Sequence, residues 1–239
     1  MKTIPLPLHH ETIAVADTTL DATLSWIAKR CTQPGFARLL TLNPEILMAG
    51  HQNPDIAALI ATADLTIPDG TGIVACIRWC FGHKIARVTG SDLAPALIKS
   101  GKHRIYLLGS TPETIAKAAQ HPHICGHHHG FWTDAEWGDI SAKIAATNPD
   151  IVLVGMGFPR QEYVLEKLKT VLPHGVGIGV GGVIDMLAGV QHRAPQWTQD
   201  LHLEWLYRAL KQPSRLSRLR WIGRFAAYTL TLGRQNPRV

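Results

Sequence analysis

The sequence predicts an α/β fold in which helices cover both faces of a parallel β-sheet. Short runs of Ile, Val and Leu alternate along the chain with amphipathic helical patterns, most clearly after residue 100. Because these runs are apolar throughout, they indicate strands that are buried on both faces. The chain has 239 residues, 46% of them apolar, so it can bury a complete hydrophobic core.

Each predicted strand is an apolar run that is too short for a helix and is bounded by turn-forming residues. The predicted strands occupy residues 12–15, 37–42, 65–67, 104–110, 150–159 and 175–182. The predicted helices follow these strands and show helical spacing of apolar residues. They occupy residues 20–30, 54–62, 73–80, 112–120 and 160–172, with a shorter helical pattern at 46–48. Near residue 195 the composition changes, so we expect an α/β core at 1–195 and a helical, basic appendage at 196–239.

A single carboxylate, Asp69, directly follows the predicted strand at 65–67. Pro68 and Gly70 flank it, and Gly70 lets the backbone turn sharply. In open α/β sheets, ligands bind outside the carboxyl ends of the strands. Asp69 is therefore either a catalytic group or an Asp that caps its own turn, and capping is the commoner role of an Asp that precedes Gly.

Three glycines near the last predicted strand have the spacing of a dinucleotide-binding fingerprint. Gly177, Gly179 and Gly182 match G-x-G-x-x-G. A genuine fingerprint follows a strand and opens a helix, whereas these glycines lie within the apparent strand. Small residues in a strand more often let a ligand or another backbone approach closely, which suits the floor of a pocket. Asp185, just beyond, either faces a ligand or caps a helix.

Five histidines are concentrated in one stretch of the chain, at positions 121, 123, 127, 128 and 129. Their spacing lacks the i, i+4 pattern of helical zinc ligands. The segment at 126–131 is expected to be a loop between two glycines, so the histidines are expected to be solvated or to face a substrate. No Asp-x-Asp follows any apolar strand, so we expect no metal site.

The segment at 155–162 has the pattern of an anion site at the start of a helix. Two glycines and a proline precede a helical first turn that contains Arg160, Gln161 and Glu162. Backbone N–H groups at such a position attract an anion. The alternative is a helix that simply begins at proline, with Glu favourable near its amino end.

The positive charge of the chain is concentrated at its carboxyl end. The net charge is +6, and residues 201–239 hold eight Lys or Arg against one acid. Together with five aromatic residues, this composition suggests an anionic partner, either a membrane or a nucleic acid. On a helix at 214–232 the apolar residues form a broad arc, which predicts a helix lying at a membrane surface; the alternative is a helix packed on its own domain. We expect the core to be stable without this tail.

Other classes of protein are disfavoured by composition. The chain start lacks the apolar segment of a signal peptide, and no run of about 18 uncharged apolar residues occurs. We therefore expect a protein that is neither exported nor membrane-spanning. The four cysteines show no Cys-x-x-Cys spacing, so we expect reduced thiols.

Ten segments between about residue 12 and residue 218 together resemble the WecG/TagA/CpsF family of glycosyltransferases (glycosyltransferase family 26). They are TLNPE (41–45), IPDGTG (67–72), RVTGSDL (87–93), YLLGS (106–110), GHHHGF (126–131), VGMGFPRQE (154–162), GVGGVIDMLAG (179–189), RAPQW (193–197), LEWLYR (203–208) and QPSR (212–215). The chain departs from the family pattern in three places. Ala86 replaces a usual Glu, His202 replaces a usual Gly, and the region near residue 120 is compressed.

The resemblance implies a Rossmann-like fold and an inverting, metal-independent transfer reaction without a cofactor. The implied donor is a UDP-sugar that carries N-acetylmannosamine or a related sugar. The implied acceptor is the 4-hydroxyl of GlcNAc on undecaprenyl diphosphate. Such an enzyme would serve cell-surface polysaccharide or teichoic acid synthesis as a cytoplasmic, peripheral protein on the inner face of the cytoplasmic membrane. The resemblance also allows a homo-oligomer and implies no nucleic-acid partner.

By the same resemblance, Asp69 would be the base that takes the proton of the acceptor. Thr41 and Gln161 would position donor and acceptor, and Asn43 would assist. The further substrate-binding residues implied by the matching segments are Arg87, Gly109, Ser110, Gly155, Gly157, Pro159, Glu162, Gly181, Gly182, Asp185, Arg208, Arg215 and Arg218. The last three arginines would stabilise the charge on the departing UDP.

Two functions from other classes stay open at this point. A nicotinamide-dependent oxidoreductase would need the glycine fingerprint directly after a strand, with an acidic residue about 20 residues farther on. A nucleic-acid-binding module would use the basic, aromatic tail and would bind with a steep salt dependence. Both account for fewer of the motifs than a transferase does.

Overall fold

Eight β-strands form one sheet within the residues that the computed structural model describes, which are 1–8, 11–191, 195, 198, 207 and 220–235. The strands are β1 (Thr3–Leu8), β2 (Glu11–Ala16), β3 (Ala37–Leu42), β4 (Leu65–Pro68), β5 (Ile105–Gly109), β6 (Ile124–His128), β7 (Ile151–Gly155) and β8 (Val176–Gly179). Their order across the sheet is β1-β2-β4-β3-β8-β7-β5-β6. All neighbours are parallel except β1, which is antiparallel to β2, so the predicted parallel sheet is confirmed.

The helices follow the strands as in other α/β folds. They are α1 (Leu20–Cys31), α2 (Pro44–Gln52), α3 (Pro54–Ala61), α4 (Thr71–Phe81), α5 (Gly90–Ser100), α6 (Pro112–Ala118), α7 (Trp137–Ala146), α8 (Arg160–Leu168), α9 (Val183–Leu187) and α10 (Arg220–Gln235). The predicted helical stretches up to residue 172 are all present. The sequence patterns do not predict α5, α7 or α9; α5 contains Pro95, and α9 spans only five residues.

The hydrophobic core lies on both faces of the sheet. On one face, α1, α5, α6 and α9 form a single cluster with the strands. On the other face the core is divided: α2, α3, α4 and α10 cover β1 to β4, and α7 and α8 cover β5 and β7. This division falls at the boundary between β3 and β8 in the centre of the sheet. A buried charged residue, Arg38 of β3, lies at that boundary.

Two edge strands differ from the sequence predictions. The proline-rich start forms β1, in which Ile4, Leu6 and Leu8 are buried and the residues between them are exposed. Proline is compatible with an edge strand because one side of that strand needs no ladder hydrogen bonds. The segment expected to be a histidine loop contributes its first residues to β6 (Ile124–His128), so the loop prediction is wrong for this part.

The last helix packs on the core. Helix α10 contacts α2 and α4, Leu232 is buried, and Tyr228 donates a 2.8 Å hydrogen bond to the backbone carbonyl of Pro7. Trp221 and Phe225 also pack against this cluster. For the described part of the tail, the structure therefore shows the second of the two predicted alternatives, a helix packed on its own domain. No helix among the described residues has the length and apolarity needed to cross a membrane.

Candidate active site

The carboxyl ends of the parallel strands meet at one edge of the sheet, and most of the predicted site residues lie there. Thr41 pairs with Ile67 in the register of β3 and β4, one residue before each strand ends. Gly109 pairs with Gly155 in the register of β5 and β7. The turns that follow these strands form the candidate site.

Asp69 follows β4 and lies close to the start of α5. Its amide donates a 2.8 Å hydrogen bond to the carbonyl of Leu42, which continues the pairing of β3 and β4 by one residue. Its carboxylate Oδ2 accepts a 3.5 Å hydrogen bond from the amide of Gly90, the first residue of α5. The amino end of a helix favours a negative charge at this position. The side chain is half-buried, so the carboxylate is anchored at a helix start and partly open.

Thr41 and Gln161 both bind the backbone where β8 ends. Thr41 Oγ1 donates a 2.9 Å hydrogen bond to the carbonyl of Gly179, and Gln161 Oε1 accepts a 3.2 Å hydrogen bond from the amide of Gly181. Both side chains are buried. Gly90 lies beside Thr41 as well as beside Asp69. The structure thus brings the three predicted catalytic residues together around β4, β3 and β8, which are adjacent in the sheet.

Bare backbone forms the other half of this edge. Gly109 has a positive φ of 132°, and a Cβ there would collide with the carbonyl of Gly155. A Cβ on Gly155 would lie 2.6 Å from the carbonyl of Gly181. Glycine is therefore required where these turns cross, because neighbouring backbone occupies the place of a side chain. Gly130, the second glycine of the GHHHGF segment, joins this row by its contact with Gly109.

Ser110 and Asp185 connect the turn after β5 to α9. Ser110 Oγ donates a 2.7 Å hydrogen bond to Asp185 Oδ1. Ser110 has a positive φ of 58°, which non-glycine residues adopt infrequently. Asp185 lies inside α9, and Gly182 is the residue that caps it. Of the two predicted roles for Asp185, helix capping is therefore wrong.

The segment before α8 forms a turn, so the strand predicted over 150–159 ends at Gly155. The peptide bond between Phe158 and Pro159 is cis, and Gln161 donates its amide proton to the carbonyl of Gly157 at 2.9 Å. Gly157 is exposed, with no atom near the place of an added Cβ. The guanidinium of Arg160 lies 5.1 Å from the centre of the Trp132 ring, so this cation is held over an aromatic surface.

Glu162, which the resemblance implies to be a substrate-binding residue, has a fully buried side chain. Its side chain is 0% exposed, and its Oε1 accepts a 3.1 Å hydrogen bond from Gln161 Nε2. Burial raises the pKa of this carboxyl above its usual value, while Arg38 and the Gln161 bond oppose the shift. Arg38 is a site residue that sequence reasoning missed; the signal was a single charge inside the apolar run at 37–42.

The remaining predicted residues have other positions. Asn43 Oδ1 accepts a 3.0 Å hydrogen bond from the amide of Ile46, so Asn43 caps α2. The amide of Val88 donates a hydrogen bond to the carbonyl of Pro68, the last residue of β4. The backbone of Arg87, the preceding residue, therefore lies beside the end of β4. Arg208, Arg215 and Arg218 lie outside the described residues. Within the described ranges, no three His, Cys, Asp or Glu side chains are grouped as metal ligands.

The glycine fingerprint also has a structural explanation. Gly177 and Gly179 lie within β8, as the sequence predicts. A Cβ on Gly177 would collide with Leu165 and Phe36, so this glycine permits core packing and does not form a pocket floor. The place of a side chain on Gly179 is taken by Gln161 and Glu162. The glycines therefore serve the packing of α8 on β8.

The family model described as "Glycosyl transferase WecG/TagA/CpsF family" matches residues 10–237 of this chain. The match covers most of the sequence, including Thr41 of β3, Asp69 after β4 and Gln161 in the first turn of α8.

Proposed function

Because the chain belongs to the WecG/TagA/CpsF family of glycosyl transferases, we propose that it transfers N-acetylmannosamine, or a related sugar, from a UDP-sugar to an undecaprenyl-diphosphate-linked GlcNAc. The observation that carries this proposal is the meeting of Asp69, Thr41 and the α8 residue Gln161 around the adjacent ends of β4, β3 and β8. The half-buried carboxylate of Asp69 can act as a single base, and the buried side chains of Thr41 and Gln161 hold the neighbouring backbone in place.

In the proposed reaction Asp69 removes the proton of the 4-hydroxyl of the acceptor. The acceptor oxygen then forms a bond to the anomeric carbon of the donor, on the face opposite UDP. The bond between that carbon and the UDP oxygen breaks, and its electron pair leaves with UDP. The configuration at the anomeric carbon is thereby inverted. Asp69 is suited to this role because a positioned carboxylate raises the nucleophilicity of a weakly acidic hydroxyl.

The turns rich in glycine suit the diphosphate of the donor. Gly157 and Gly181 have open space where a Cβ would lie, so phosphate and sugar oxygens can approach the backbone at these two turns. The Ser110–Asp185 hydrogen bond fixes one border of this surface. The charge that develops on UDP would be stabilised by arginines of the appendage, for which Arg208, Arg215 and Arg218 are proposed.

The acceptor is a membrane lipid, so the proposal includes peripheral binding to the anionic, inner face of the cytoplasmic membrane. Exposed apolar side chains and cations support it. Trp79 of α4 is 55% exposed, and Ile222 and Leu230 of α10 are 44% and 54% exposed. Arg224 is exposed on the same helix, with its guanidinium 5.6 Å from the centre of the Trp221 ring. Apolar and basic side chains together bind anionic bilayers.

The direct test is a transfer assay with the full chain, a panel of UDP-sugars and a short-chain GlcNAc-diphosphate lipid. The expected result is UDP release that depends on the acceptor, with a product heavier by one N-acetylhexosamine. The new glycosidic bond should have the anomeric configuration opposite to that of the donor. Release of UDP without a disaccharide product, or a product that retains the donor configuration, would contradict the proposal.

A further inference from the structure

A buried ion cluster lies directly beneath the candidate site. Arg38, at the centre of the sheet, is 0% exposed. Toward α3, its guanidinium donates to the carbonyl of Leu59 and, at 2.8 Å, to Thr62 Oγ1. Toward α8, its Nη1 lies 3.9 Å from Glu162 Oε2 and 3.5 Å from Glu166 Oε2. Burial of a charge in a core costs desolvation free energy unless opposite charges and hydrogen bonds compensate it, and Arg38 has both.

The cluster connects to the site through Glu162. The carboxylate of Glu162 accepts a hydrogen bond at Oε1 from Gln161 Nε2, at 3.1 Å. Gln161 Oε1 accepts at 3.2 Å from the amide of Gly181. Both Glu162 and Gln161 are buried, so these contacts are shielded from water.

The chemistry of the two partners permits only one orientation of the Gln161 carboxamide. The backbone amide of Gly181 only donates hydrogen bonds, so the carbonyl oxygen of Gln161 must face it. The NH₂ group of Gln161 then faces Glu162 Oε1, which accepts from it. A rotated carboxamide would place oxygen against oxygen at Glu162 and two donors against each other at Gly181, which is unfavourable at both ends.

Gly179 provides the space for this arrangement. A Cβ at this position would collide with both Gln161 Nε2 and Glu162 Oε1. The carbonyl of the same glycine accepts the hydrogen bond from Thr41. The buried pair, the Gln161 carboxamide and Thr41 therefore converge on the last residue of β8, where the turn toward α9 begins.

We propose that Arg38 and Glu162 are positioning residues that act through Gln161: Arg38 holds the Glu162 carboxylate, and Glu162 fixes the Gln161 carboxamide against the turn after β8. The inference rests on the proposed function, in which Gln161 positions the substrates. It changes the expected role of Glu162 from a substrate contact to a buried support of the site.

Glu166 is the matched control. It is also a carboxylate partner of Arg38 on α8, but it lies one turn beyond Glu162 and pairs with Lys169 at 3.5 Å. Its side chain is 41% exposed. Glu166→Gln therefore removes a negative charge beside Arg38 without removing the acceptor of Gln161 Nε2.

The test is a double-mutant cycle on kcat in the transfer assay, with thermal unfolding measured for every variant. Glu162→Met, which is close in size but has no oxygen to accept from Gln161 Nε2, should lower kcat about tenfold or more, as loss of an outer support of a functional group does. In a Gln161→Ala background, Glu162→Met should cause no further loss, because its effect passes through the missing carboxamide. Glu166→Gln should change kcat less than about twofold in either background.

The outcomes separate the inference from the proposed function. If Gln161→Ala leaves transfer unchanged, the proposed role of Gln161 fails. If Gln161→Ala slows transfer but the effects of the two substitutions multiply, or Glu162→Met alone has no effect, the positioning role of Glu162 is overturned. If Glu162→Met does not fold, Glu162→Asp serves in the same cycle; it keeps a charge for Arg38 and withdraws the carboxylate from Gln161, with the same results expected.

Discussion

At the scale of single residues, the site depends on contacts with the backbone at the end of β8. Thr41 binds the carbonyl of Gly179 and Gln161 binds the amide of Gly181. These hydrogen bonds are buried, where the loss of one partner leaves the other unsatisfied. Substitutions that move this turn by a fraction of an ångström should therefore affect transfer more than they affect folding.

Gly179→Ala tests this dependence. The added Cβ collides with the polar atoms of Gln161 and Glu162, so the carboxamide must move. We predict that turnover falls about 10- to 100-fold. Gly138→Ala, in the exposed first turn of α7 with open space around the new Cβ, is the control and should retain turnover while gaining up to about 1 kcal/mol of stability. Steady-state assays and urea unfolding measure both effects; wild-type turnover in Gly179→Ala would contradict the interpretation.

Some residues of the site could be predicted from the sequence and others could not. Thr41 and Asp69 lie at the ends of short apolar runs, and strand ends meet at one edge of a parallel sheet, so their proximity follows from the pattern. The burial of Glu162 does not follow. A Glu in the first turn of a helix is usually exposed, and its partner Arg38 lies in a strand 124 residues earlier in the chain.

At the scale of elements, edge strands and the last helix depend on partners that sequence patterns do not show. Strand β1 contains two prolines, yet it pairs with β2 along its whole length. Strand β6 is partly exposed and rich in histidine, so its strand character comes from pairing with β5. Helix α10 has an apolar arc that fits either a membrane or the core. The structure directs Phe225, Tyr228 and Leu232 toward the core.

Two leucines of α10 differ in burial, so their substitution shows how much the packing of this helix contributes to stability. Leu232 is 4% exposed and belongs to the cluster over β1 to β4, whereas Leu230 is 54% exposed. We predict that Leu232→Ala lowers the free energy of unfolding by about 2–4 kcal/mol because it leaves a cavity. Leu230→Ala should change it by no more than about 0.5 kcal/mol. Urea unfolding of the full chain measures both, and equal effects would show that α10 is not docked as described.

At the scale of the whole molecule, the proposed function joins a site at one edge of the sheet to a tail with a large positive charge. The eight basic residues among 201–239 give the chain its net charge of +6. One of them, Arg224, is exposed on α10, so its contribution can be tested separately from that of the arginines proposed to bind UDP.

Arg224→Ala should weaken binding to vesicles that contain anionic lipid by about 1 kcal/mol, the usual contribution of one basic residue near a charged bilayer. Turnover on a water-soluble acceptor should stay unchanged, because Arg224 has no role in the proposed chemistry. Lys143→Ala removes the same charge from exposed α7, on the other half of the sheet, and should leave vesicle binding unchanged. If both variants lose the same vesicle-binding free energy, binding depends on the net charge of the chain and not on a specific membrane-binding face.

Removal of metal ions tests how the leaving group is stabilised. We predict that transfer continues in excess EDTA, because the proposal assigns the charge of departing UDP to arginines and backbone amides. The measurement is the initial rate with and without EDTA, and then after addition of magnesium or manganese. A rate that falls in EDTA and recovers with either ion would assign that charge to a bound cation.

The central claim is that Asp69 acts as the base of a glycosyl transfer. Asn at this position keeps the size of the side chain and an oxygen that can accept from Gly90, so the fold and the melting temperature should not change. The most direct measurement is the kcat of Asp69→Asn with the preferred UDP-sugar, beside Asp139→Asn on the exposed surface of α7 as control. The account predicts a loss of about 10²- to 10⁴-fold for Asp69→Asn and none for the control. A folded Asp69→Asn protein whose kcat stays within about threefold of wild type would contradict the claim.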